Sequence, residues 1–129
     1  MLIIIGFALL YYFVLPAFHF SEHKQIHQLA STPLWWKLIS VVRAAVAEEI
    51  VFRGYGFERL RGLSGSTVFA AMASWAIFTV EHLSAWGFGH LLIAGFGGMF
   101  LTLLYVWRRN IYAAMIAHFI ADLISVIAA

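Results

Sequence analysis

Six ionisable residues stand inside otherwise apolar stretches of this sequence: Glu48, Glu49, Glu81, His82, His118 and Asp122. A charge at such depth is costly unless it pairs or faces water, so a group of them on several helices reads as a site. Spacing sorts them. In AEEIVFRG, Glu49 and Arg53 are i and i+4 with the acid first, the better order for a helical ion pair, so Arg53 answers Glu49 and braces its helix. Glu48 is turned about 100° away on the same wheel and is free to face another helix. In FTVEH, Phe78 and His82 share a face, with Phe78 an apolar wall below the imidazole. In HFIAD, His118 and Asp122 share a face of the last helix.

Two chemistries suit this set. A glutamate and a histidine gripping one water form a general base for hydrolysis, and a second histidine can donate to a developing oxyanion. Alternatively, Glu48, His82, His118 and Asp122 are four N/O ligands for a divalent metal such as zinc, with a water position left open. Two other classes use the same residues. A proton or ion transport protein would carry them as a relay, although no inverted repeat supports that. A non-catalytic membrane scaffold or immunity protein would keep them for stability.

The elements that must position these groups are membrane helices. Hydrophobic residues make up 64 % of the 129 and charged ones 11 %, against roughly 45–50 % and 25 % in ordinary soluble domains. The mean hydropathy is +0.91. No soluble fold of this size could keep so much apolar surface from water. The net charge of +2 comes from scattered basic residues with no stripe, so nucleic acid is not a partner. The absence of cysteine excludes a thiol nucleophile and a thiolate metal site.

Five apolar segments follow one another, which predicts an all-α polytopic bundle of about five helices. The first is Met1–Phe20, retained as a span because it has no charged leader or A-x-A cleavage site. The connector SEHKQIHQLASTP follows, and the second segment starts near Leu34. The third runs over Ser66–His82, the fourth over Phe88–Trp107 and the fifth over Ile111–Ala129. At roughly 1.5 Å per residue these lengths cross, or nearly cross, about 30 Å of hydrocarbon. Residues 1–33 thus form an N-terminal span and polar connector, and 34–129 the core. Arg53, Arg59, Arg61, Arg108 and Arg109 collect at two connections on one side against Lys24 and Lys37 on the other, which puts the Arg-rich side and the N-terminus in the cytoplasm, in a plasma membrane of bacterial type.

With these blocks in order, E-E-x-x-x-R (Glu48, Glu49, Arg53), F-x-x-x-H (Phe78, His82) and H-x-x-x-N/D (His118, Asp122), the chain resembles the CAAX protease and bacteriocin-processing (CPBP) family of intramembrane endopeptidases, which includes the type II CAAX prenyl endopeptidases. The resemblance covers Trp35 to Ala129 and includes Gly54 after the arginine. It implies peptide-bond hydrolysis within the membrane, with a membrane-associated protein or peptide as substrate, prenylated in the CAAX case, and lipid as the other partner. It implies that Glu48 activates water with His82, while His118 and Asp122 stabilise the oxyanion. Members carry the label metalloprotease although the better-understood ones look metal-independent, so zinc stays open. Two departures are visible. Asp122 stands where the prenyl-processing enzymes have Asn, and an ionised aspartate cannot donate to an oxyanion; it must be protonated, orient His118 or bind a metal. Only one apolar segment precedes the E-E block, where such proteins usually have more.

Other residues have plainer readings. Glu81 abuts His82 but points to a different face, toward solvent or the interface. His19, His23 and His27 lie in the polar connector as solvated histidines. His90 is a lone interfacial histidine. Gly95, Gly97 and Gly98 make a close helix-packing surface. Trp35, Trp36, Trp86, Tyr105 and Trp107 are interface anchors. Counted from the Arg-rich side at roughly 1.5 Å per residue, His118 lies about 10 Å deep and His82 about 24 Å deep, so spacing alone does not bring them level.

Overall fold

Pro33 marks where the polar connector gives way to helix. Its carbonyl accepts from the amides of Trp36 at 3.0 Å and Lys37 at 3.1 Å, and a residue without its own N–H suits that position. The computed structural model describes residues 31–128. The expected span over Met1–Phe20, with His19, His23 and His27, lies outside them. Among the described residues the protein is all-α: α1 (Leu34–Glu49), a π-helical stretch (Ile50–Phe57), α2 (Glu58–Ser64), α3 (Thr67–Arg108) and α4 (Ile111–Ala128). The count is therefore four α-helices rather than five. One expected helix is among the residues not described, and the expected third and fourth are the limbs of α3, Thr67–Leu83 and Gly87–Arg108. Gly87, at φ 76° and ψ −178°, breaks the helix between the limbs, in a region that glycine alone occupies without strain.

The limbs fold back on one another. Trp75 Nε1 donates to the carbonyl of Gly95 at 2.7 Å, and Phe78 packs with Ala94 and Phe52 in one buried cluster. Small residues make this approach possible. A Cβ on Gly95 would lie 3.3 Å from Thr79, and one on Gly98 would lie 2.6 Å from the Phe78 ring. Gly95 and Gly98 of AGFGGMF thus form the close packing surface expected for this stretch.

The second apolar segment is longer and less regular than a single helix. After Glu49 it winds as a π-helix through Ile50–Phe57, a geometry that is rare and found most often at functional sites. A Cβ on Gly56 would sit 3.1 Å from the carbonyl of Val51, five residues earlier, so the wide turn closes tightly at that point. The Phe52 carbonyl accepts from the buried Ser74 hydroxyl at 2.7 Å, tying the π-helix to the first limb of α3.

At the Arg-rich end a polar clamp fixes the level of the helices. Glu58 accepts from the Tyr105 hydroxyl at 2.8 Å and pairs with Arg109 at 2.8 Å and Arg61 at 3.2 Å. Beneath it, Phe57, Ala70 and Tyr105 form a second buried cluster, with Phe57 and Tyr105 edge to face at 5.3 Å. Tyr105 is therefore buried rather than the interface anchor expected from its place near a segment end, because its hydroxyl reaches Glu58 inside the bundle. Trp35, Trp36 and Trp107 are exposed, as are Leu34, Ile39, Val42 and Val46 along α1. The limb Gly87–Arg108 is long and apolar enough to cross a membrane; Thr67–Leu83 and Ile111–Ile127 are apolar but shorter.

Two outcomes follow from this packing. Gly98→Ala should destabilise the protein in detergent by about 1–3 kcal/mol, because the Phe78 ring must move. Gly62→Ala, where a Cβ meets nothing within 4 Å, should leave thermal stability unchanged or slightly raised. Equal melting temperatures for the two variants would contradict the close packing. The clamp gives a pH signature. Burial works against the ionisation of Glu58, but hydrogen bonds from Tyr105 and Arg109 and the charges of Arg109 and Arg61 outweigh it and hold the carboxyl below the ordinary 4.5. A carboxyl lowered in the folded state contributes stability above its unfolded value, and that contribution is lost as pH falls through the folded one. Glu58→Gln should thus melt a few degrees below wild type at pH 7, and the gap should narrow as pH drops through the acid range.

Candidate active site

Glu49 and Arg53 share one face, and α4 and both limbs of α3 close over that face until neither side chain is exposed. Arg53 donates from one guanidinium nitrogen to Glu49 Oε1 at 2.8 Å. From the other it donates to the Gly98 carbonyl at 3.0 Å and reaches Thr102 Oγ1 at 3.5 Å. The guanidinium lies 4.4 Å over the Phe78 ring, a favourable cation–π position. The ion pair expected from the i,i+4 spacing is present and serves a larger purpose, since Glu49 Oε1 also accepts from Nδ1 of His118 at 2.9 Å. A carboxylate already paired with arginine is an acceptor only. His118 therefore carries a proton on Nδ1 and turns Nε2 the other way.

That direction leads to Glu48. Nε2 of His118 lies 3.9 Å from Glu48 Oε2, and Nε2 of His82 lies 3.9 Å from the same oxygen. His82 is fixed in the same sense, donating from Nδ1 to the Phe78 carbonyl at 2.7 Å with its ring against Phe78 at 4.6 Å. Asp122 Oδ2 stands 3.5 Å from Nε2 of His118. Glu48 Oε2 has no hydrogen-bond partner among the described residues although the atom is buried. The structure thus gathers Glu48, His82, His118 and Asp122 around one point, with Glu49, Arg53 and Phe78 behind them. It separates Glu81, which is exposed on another face of its helix.

The sequence model of the type II CAAX prenyl endopeptidase Rce1-like family matches residues 30–124 of this chain. The protein belongs to that family. No curated protein and no solved structure matches it. It is thereby a membrane protein of a protease family whose name refers to the processing of CAAX-type, membrane-associated proteins.

The metal expectation does not gain a ligand set. Among the described residues no group of three or more His, Cys, Asp or Glu side chains is arranged to hold a metal ion. Several residues of this Rce1-like site were not legible as such. Gly98 and Thr102 supply acceptors to Arg53, and the Thr102 hydroxyl itself donates to the Gly98 carbonyl at 2.7 Å. The glycine pair signalled close packing but not a ligand for arginine. Arg53, counted as a loop charge on the Arg-rich side, is instead enclosed in the bundle. Ser74 carried no signal, and His90 stacks beside His82 rather than standing alone.

Removing one member of a buried ion pair strands the other. Arg53→Met should cost about 3–5 kcal/mol, because Glu49 is left charged in an apolar bundle. Thermal unfolding in detergent measures this, and a loss below about 1 kcal/mol would show that the pair does not brace the fold.

Proposed function

We propose that this protein is a glutamate-dependent intramembrane endopeptidase that cleaves a CAAX-type, membrane-associated peptide at Glu48. The observation that carries this reading is the convergence of two differently anchored imidazole Nε2 atoms on the unpartnered oxygen of Glu48. A separation of 3.9 Å is too long for a direct hydrogen bond, and a water about 2.8 Å from each partner spans it.

In this reading the water donates to Glu48 Oε2 and to Nε2 of His82, whose Nδ1 proton is tied to Phe78 and whose Nε2 lone pair therefore faces the site. Glu48 takes the water proton as the oxygen attacks the scissile carbonyl. A C–O bond forms, and the carbonyl electrons move to the oxyanion. His118 as imidazolium donates Nδ1–H to Glu49 and Nε2–H to that oxyanion. Glu48 then returns its proton to the departing amine as the C–N bond breaks. Asp122, ionised beside Nε2 of His118, offsets the imidazolium charge. This answers the departure from Asn: an aspartate cannot donate to the oxyanion, but it can support the histidine that does. Orienting His118 falls to Glu49 instead. In this reading the basic connections, with Arg59, Arg61, Arg108 and Arg109, face the cytoplasm, and the multi-pass bundle lies in a plasma membrane of bacterial type.

The test is cleavage of a farnesylated CAAX peptide in lipid vesicles. Glu48→Gln should lower kcat at least about 100-fold, the usual scale of a lost general base, while leaving the melting temperature within a few degrees of wild type. A variant that cleaves as fast as wild type overturns the mechanism.

A further inference from the structure

The ring of His90 lies 5.9 Å from that of His82, centroid to centroid, with only 18° between their planes. His90 stands on the second limb of α3, three residues beyond the break at Gly87, and the fold-back at that glycine carries it over His82. The His82 imidazole needs such a neighbour. It sits near the end of the first limb, five residues before the break at Gly87. Its hydrogen bond to the Phe78 carbonyl and its contact with the Phe78 ring both come from that same limb. Those two contacts fix the height of the ring, but the hydrogen bond is a single point about which the imidazole can still turn. A near-parallel ring from the opposite limb, its centroid 5.9 Å away, limits that freedom, since aromatic rings at this separation favour an offset-stacked arrangement that a tilt of either ring would lose. A plane turned by a few tens of degrees would swing Nε2 away from Glu48, and small misplacements of a general base are costly in rate.

We propose that His90 is a positioning residue for peptide cleavage: its ring face holds the His82 imidazole in the plane that aims Nε2 at Glu48. The inference rests on the function proposed above, because it assigns His90 its effect through His82. A flat aromatic face is what the role requires, so phenylalanine can replace histidine and a branched aliphatic chain cannot.

The experiment compares His90→Phe, His90→Leu and Glu48→Gln in the full-length protein, with a farnesylated CAAX peptide in phosphatidylcholine/phosphatidylglycerol vesicles and with imidazole 15N resonances recorded on the same samples. His90→Phe should keep kcat within about twofold of wild type, whereas His90→Leu should lower it about tenfold with KM unchanged. The His82 resonances should show the Nδ1-protonated form in wild type and His90→Phe, and lose that single pattern in His90→Leu. Equal kcat for the two His90 variants, or a loss confined to KM, overturns the proposal. An undisturbed His82 pattern in His90→Leu overturns it even if the peptide is not cleaved. If Glu48→Gln remains active, the hydrolytic mechanism fails, and the resonances still decide whether His90 holds His82. If Glu48→Gln is inactive and His90→Leu is fully active, only the role of His90 is lost. Should His90→Leu not fold, His90→Met, flexible and of similar volume, replaces it with the same expected outcomes.

Discussion

A buried carboxylate and guanidinium hold this structure in register. Glu49 and Arg53 are fully enclosed, and an enclosed pair is stable only if each charge is answered by the other and by further polar atoms. Arg53 finds those atoms on the second limb of α3, at Gly98 and Thr102. Glu49 finds its second partner on α4, at Nδ1 of His118. One ion pair thus links the helix that bears it to two others. The helices cannot slide past one another by a turn without leaving a charge unanswered in apolar surroundings. The same requirement fixes Nδ1 of His118 against Glu49 and hence the direction in which Nε2 points.

Backbone irregularities make that arrangement reachable. The π-helical stretch after Glu49 and the break at Gly87 both interrupt regular helix, and both lie close to the site. Glycine permits each of them, through the tight closure at Gly56 and the left-handed φ of Gly87. Glycine also lets the two limbs approach until Phe78 fills the space over Gly98. Phe78 then serves two partners in three ways: its ring supports Arg53 and His82, and its carbonyl fixes the His82 tautomer. An apolar wall below the imidazole was the modest expectation for this residue, and it proves to be shared between the bracing Glu49–Arg53 pair and His82.

The polar groups divide into two kinds by their environment. Glu58, Arg61, Arg109 and Tyr105 join at the end of the bundle, partly open to solvent, and act as a clamp on helix level. Glu48, His82, His118 and Asp122 meet deeper, along helices whose outer faces carry large exposed apolar side chains. Such faces are at home in lipid and leave the interior as the only place for ionisable groups. The buried, unpartnered oxygen of Glu48 lies where these four side chains converge.

Much of this was legible from the residues themselves. Local spacing sufficed for the Glu49–Arg53 pair, the separate face of Glu48 turned toward another helix and the shared faces of Phe78 with His82 and of His118 with Asp122, because these depend only on helical geometry. The ordered blocks also sufficed for the family, and apolar content for the all-α class. Depth was not legible. Counting from segment ends set His82 and His118 far apart, because it took each helix to begin at the same level. The Glu58–Arg109 clamp ties the chain on either side to one level, with Glu48 ten residues before Glu58 and His118 nine residues after Arg109. Nothing local announces that clamp, nor the fold-back that brings His90 to His82, nor the choice of Gly98 as a partner for Arg53. These depend on which helices become neighbours and at what height, and that is decided by packing and charge pairing between residues dozens of positions apart.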